Sequence, residues 1–346
     1  MVIQFSVIVI LLLFGYIIVT SLIPKQGRDN SSYDKSLFEP TDSVIYSALP
    51  LTKYPENYAD FEALFRFIIS DMNKIFSRGS NIIPPVAVFT FKDDSEKLND
   101  MFIQSLPPDI SKIVSRQDNS PSLSGDGNRT ILILPYAHDP FERIGNIVHE
   151  FYHVLQMRLC TKIPFLDNAF VWLKEGCAAI AEHVYIMFYF RNHPSIDSIN
   201  GISRGMSSPS GILSEGWVIT NTRNEALQDG FVFGKAQEKY SGTISNYDRS
   251  RTAVLFLAWK LSSKGGLSFV LRDLLNDVIC KSVYSNPTDE NFTKAFGFSK
   301  QSFYDEFNSW LVRPFNSEEN IIPTFRDCAN VFIGTTEPNF PINLLV

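Results

Sequence analysis

Residues 139–155, DPFERIGNIVHEFYHVL, constrain the fold more than any other stretch of the chain. They open with helix-start signals. Asp139 is a good N-cap, Pro140 suits the first helical position, and Glu142 stands where a capping box places its acid. Ile144, Ile147, Val148, Phe151, Val154 and Leu155 then surround the helix with apolar groups, and a helix apolar on most sides is buried. His149, Glu150 and His153 are carried inward with it, where ionisable groups are costly unless paired or bound to metal.

His149 and His153 are spaced i, i+4 and so share one helix face. Both imidazoles can therefore hold one cation. Zinc accepts neutral imidazole nitrogen, and its catalytic sites use three protein ligands plus water. Glu150 follows the first histidine and projects beside the pair, a position from which it can serve as general base toward water. The third ligand comes from a second helix expected at 168–190, capped by Asp167 or Asn168. Within it, Trp172-Leu173-Lys174-Glu175-Gly176-Cys177-Ala178 offers the Glu175 carboxylate, and Gly176, Ala178 and Ala179 are small enough to let two helices approach closely. Glu182, two turns further along the same face, is the expected carboxylate behind a ligand histidine; a solvent-facing residue is the alternative. His183, turned by one residue, reads as surface or supporting rather than as a ligand. Cys177 reads as a small buried side chain.

The pair His149-Glu150-Phe151-Tyr152-His153 and Trp172-Leu173-Lys174-Glu175-Gly176-Cys177-Ala178 resembles the gluzincin metallopeptidases, above all the peptidase MA-like proteins and the aminopeptidase branch with their HExxH and WLxEGxA motifs. The matched region runs roughly from 130 to 280, with close identity only around the motifs. The resemblance implies a zinc ion on His149, His153 and Glu175, with Glu150 as base. It implies an α+β fold: a gluzincin-like domain with a small N-terminal sheet, an active-site helix pair and a helical C-terminal part. It also implies that the strand at 130–136 is an edge strand that pairs with an extended substrate. Tyr247, ahead of an apolar helix at Thr252 to Leu261, matches the place of the tyrosine that steadies the oxyanion, with Tyr240 as runner-up. Two departures stand out. No GxMEN-type segment reads a free N-terminus, and Ala179 occupies the place of the Asp in thermolysin-like enzymes, which moves the supporting role toward Glu182.

Elsewhere, residues 1–23 contain no charged side chain and are long enough to cross a bilayer as a helix. They read as a signal-anchor or a cleaved signal peptide, placing the catalytic domain outside the cytosol, membrane-anchored or secreted. Lys25 and Arg28, just beyond, taken alone argue for the opposite orientation. Asn30, Asn128 and Asn291 open N-glycosylation triplets. Residues 24–54 read as a linker or stalk, 55–315 as the metallopeptidase-like domain and 316–346 as a C-terminal extension of loop or short strand. Further helices are expected at 56–77, 94–104, 248–263, 266–278 and 300–313, and a strand at 85–91. Residues 106–129 read as exposed loop and 193–246 as an irregular insert. Cys280 and Cys328 are a candidate disulfide. The net charge of −6, from 31 basic and 37 acidic residues, excludes the basic face of a nucleic-acid binder. The expected partners are a peptide or protein substrate and, through the N-terminal segment, a membrane. Two other readings stay open: a gluzincin-like binding domain with weak or no catalysis, and a tethered structural protein without metal.

Overall fold

The apolar runs VAVFTF and TILIL pair side by side at the centre of a mixed sheet. In the computed structural model, described over residues 45–47, 58–77, 85–91, 103–115, 122–125, 130–136, 140–160, 170–190, 215–234, 244–277, 283, 288–314, 321 and 325–332, four strands are present. They are β1 (Ile45–Ser47), β2 (Val86–Phe91), β3 (Ser122–Gly125) and β4 (Thr130–Tyr136), in the spatial order β1-β2-β4-β3. All described residues lie in the unit Pro40–Val346. β2 runs parallel to β1 and to β4, with Val86 opposite Ile131 and Val88 opposite Ile133, and β3 pairs antiparallel with β4.

Both faces of this sheet are covered. Val88, Ile131 and Ile133 pack on one side against Leu106 and against Ile110 and Val114 of α2 (Pro108–Val114). On the other side Phe89 meets Phe65 of α1 (Tyr58–Phe76) edge to face, with ring centroids 5.5 Å apart. A strand buried on both faces needs apolar residues at every position rather than at alternate ones, which is the physical reason for the unbroken TILIL run.

Next in the chain come α3 (Pro140–Leu155), which widens into a π-helical turn at Gln156–Cys160, and α4 (Val171–Phe190). α3 packs against α1, β4 and α4. Tyr152 anchors it further, donating its hydroxyl to the Leu271 carbonyl at 2.7 Å. α5 (Glu215–Gln228) and α6 (Ile244–Lys260) follow, and α6 lies against both α4 and α5. Beyond a π-helical turn at Phe269–Asp273 that runs into α7 (Leu274–Asn276), the C-terminal part consists of α8 (Asp289–Phe296), α9 (Lys300–Val312) and α10 (Phe325–Val331). Thr288 and Ser299 cap α8 and α9, each accepting a backbone N–H three residues on. Trp172, at the start of α4, stacks on Phe303 of α9 at 5.3 Å and donates its indole N–H to the Tyr304 hydroxyl, tying the site helices to this aromatic core.

The class is α+β: the four strands lie before residue 137, with α1 and α2 between them, and only helices follow among the described residues. Several local expectations change. The strand at 130–136 is an interior strand, because β3 pairs along its other side; among the described residues the sheet edge on that side is β3. The stretch 106–129 contains α2 and β3 rather than loop alone. Part of the 24–54 segment forms β1, part of the 193–246 insert forms α5, and α10 falls within the last 30 residues. The helix containing Tyr247 begins at Ile244, so this tyrosine lies inside it. Residues 1–23, Asp139, Tyr240, Cys280 and the glycosylation candidates Asn30 and Asn128 lie outside the described residues. Among the described residues no helix is long and apolar enough to cross a membrane.

Candidate metal centre

α3 and α4 bring three donors together. One ligand atom each from His149, His153 and Glu175 all lie within 4.8 Å of one another. Glu175 Oε2 sits 3.1 Å from His153 Nε2 and 3.4 Å from His149 Nε2. Zinc bound at about 2.0–2.1 Å in a tetrahedral array separates neighbouring ligand atoms by roughly 3.3 Å, so these spacings fit. The imidazole rings lie edge to face, with centroids 4.9 Å apart. The second oxygen of Glu175, Oε1, is 3.6 Å from Lys174 Nζ.

Each histidine also has a partner behind it. His149 Nδ1 faces Glu182 Oε2 at 3.7 Å, an ion-pair distance. His153 Nδ1 lies 2.8 Å from Oε1 of Gln156, the first residue of the π turn. The orientation of that amide follows from its other end. Gln156 Nε2 donates to the Lys174 carbonyl at 3.1 Å, and a carbonyl only accepts. Oε1 therefore faces His153, Nδ1 must carry the proton, and Nε2 is left to face Glu175. Gln156 was not among the residues singled out from sequence. A polar residue three positions after the second histidine was the available signal.

Glu175 adjoins the close contact of α4 with α6. Gly176 is where the two backbones meet: a Cβ there would lie 2.5 Å from the Ser250 carbonyl oxygen and 2.6 Å from Val254 Cγ2. α6 also carries Tyr247, whose ring centroid lies 6.0 Å from that of His149. His183 turns toward α6 instead of the donors, with its ring nitrogens 2.7 and 2.9 Å from Arg251 Nη2. Cys177 is buried.

The electrostatics are those of a dense buried cluster. Burial pulls the His149 pKa down, but hydrogen bonding to Glu175 and Glu182 and the Glu150 charge outweigh it and lift it to about 10. Glu150 is 6% exposed, and burial raises its pKa against the opposing pull of the two histidines. Burial likewise pushes Glu175 upward, yet His153 and His149 hold it well below the usual carboxylate range. Glu182 follows the same pattern: burial raises it, and His149, His183 and Arg251 bring it below its ordinary value.

Compared with known proteins, the chain matches no family model, no curated protein and no solved structure.

Proposed function

We propose that the chain is a zinc-dependent peptidase of the gluzincin type, acting on peptide or protein substrates through Glu150 as general base. The observation that carries this reading is the convergence of two imidazole nitrogens and one carboxylate oxygen from α3 and α4, with Glu150 buried on the same turn. Two nitrogens and one oxygen are a donor set used by catalytic zinc. Zinc held there supplies Lewis acidity to water and to a substrate carbonyl.

The remaining work falls to the chain's own groups. Glu150 takes a proton from the attacking water and passes it to the departing amine; burial makes its carboxylate a stronger base than an exposed one. Tyr247, beside His149, offers its hydroxyl to the carbonyl oxygen as negative charge builds. An extended peptide fits this reading by pairing along β3, which among the described residues is the edge strand next to β4. The charge-free segment 1–23, read as a signal-anchor or signal peptide, supports an activity outside the cytosol, tethered or secreted.

The test is metal analysis of the purified chain together with digestion of a peptide library, with and without chelator. Zinc in near one-to-one ratio, hydrolysis lost to chelator and regained with zinc, and a Glu150→Gln variant that keeps the metal but not the activity are expected. An active Glu150→Gln variant defeats the assignment of the base, and a chain that takes up no metal defeats the reading as a whole.

A further inference from the structure

Gly145 lies one turn before His149 on α3, at the point where the Glu182 side chain comes in from α4. A Cβ at this position would meet the end of that carboxylate, with Cδ at 2.9 Å and Oε1 closer still. The carboxylate thus occupies the space that a side chain at 145 would take. Its other oxygen, Oε2, is the atom that faces His149 Nδ1 at 3.7 Å. One residue's missing side chain and another's orienting contact share a single volume.

We propose that Gly145 is a positioning residue of the metal centre: by leaving its side of α3 bare, it lets Glu182 reach Nδ1 of His149 and fix the ring so that Nε2 faces Glu175. The inference rests on the metal-centre reading above and adds a residue to it. The steric conflict at 145 is with the far end of a flexible side chain, not with backbone. An added methyl therefore displaces the carboxylate and leaves the helices in place. Alanine is also the better helix former. The fold should consequently hold while the metal site weakens, which a purely structural glycine would not produce.

The experiment measures zinc affinity and the thermal midpoint of the metal-free chain for wild type, Gly145→Ala, Glu182→Gln and the double variant. Gly145→Ala should keep a melting temperature close to that of wild type, its better helix propensity offsetting the lost contact between Glu182 and His149, yet bind zinc about ten- to a hundredfold more weakly, the usual consequence of losing a group behind a ligand histidine. Glu182→Gln should weaken binding to a similar degree. The double variant should be little worse than either single one, because both changes remove the same contact. Wild-type zinc affinity in Gly145→Ala overturns the proposal, as does a marked fall in its melting temperature, or full additivity in the double variant. Wild-type affinity in Glu182→Gln overturns it as well. None of these outcomes touches the peptidase reading, which fails separately if the wild-type chain itself binds no zinc.

Discussion

Gln156 Oε1 lies 2.8 Å from His153 Nδ1, and this contact joins the π turn at the end of α3 to the second histidine of the site. The same amide reaches back to the Lys174 carbonyl, one residue before Glu175. One side chain thus orients a donor on α3 and grips the backbone that presents a donor on α4. Gln156→Ala removes one buried and one partly buried hydrogen bond, taking this side chain's contacts from the His153 ring and the Lys174 carbonyl. It should cost about 1–3 kcal/mol of stability and weaken zinc binding about ten- to a hundredfold. Thermal melts of the metal-free chain and zinc titration check the two effects separately. Unchanged zinc affinity would mean that the His153 ring is held by other groups.

Gly176 makes a contrasting case to Gly145. A methyl at 176 runs into the Ser250 backbone and the Val254 side chain, and neither can step aside without moving α6. Gly176→Ala should destabilise the chain by about 1–3 kcal/mol as α4 and α6 part, outweighing the gain of up to about 1 kcal/mol from helix propensity. Glu175 adjoins this contact, so zinc affinity should fall together with the melting temperature. A Gly176→Ala variant as stable as wild type would show that the helix pair has slack at this crossing.

What was legible in the sequence was what depends on local repeats. His149 and His153 declared their shared face through i, i+4 spacing, and the small residues of the WLKEGCA segment announced a close helix contact, which at Gly176 is made with α6. What was not legible depends on partners distant in sequence. Ser122–Gly125 has little strand propensity of its own and is a strand because β4 offers it a ladder. Ile45–Ser47 sits in a polar stretch and is a strand because it pairs with β2. The unbroken apolar run of β4 signals burial on both faces, but that it is an interior strand rather than the expected edge strand depends on its pairing with β3. Gln156 was missed because its role depends on the π turn and on a carbonyl of the next helix.

Trp172 links the site to the C-terminal helices. It is buried, stacks on Phe303 and hydrogen-bonds Tyr304, and it stands three residues before Glu175 on α4. Trp172→Phe keeps most of the packing and should be tolerated with a modest loss of stability. Trp172→Ala opens a cavity and should cost about 3–5 kcal/mol. Denaturant unfolding of both variants checks the difference. Equal stability of the two would place the aromatic core outside the cooperative unit that carries the site.

The pH dependence of the metal-free chain follows from two opposed shifts. His149 has its pKa raised from 6.5 to about 10, so its contribution to stability is complete below 6.5 and is lost as pH rises toward 10, where the unfolded chain has already released a proton that the folded chain still holds. Glu175 has its pKa lowered well below 4.5, so its contribution is present above 4.5 and is lost as pH falls toward its folded value. The metal-free chain should therefore melt highest between about 4.5 and 6.5 and decline on either side. Zinc competes with the His149 proton, so zinc binding near neutrality should release about one proton and tighten as pH rises. Melting curves of chelator-treated and zinc-loaded chain from pH 4 to 10 check this, with proton release read by calorimetry in buffers of different ionisation enthalpy. A metal-free chain whose melting temperature holds steady from pH 6.5 to 9 would mean that His149 is already neutral in the folded state, and that the carboxylates around it are not close enough to hold its proton.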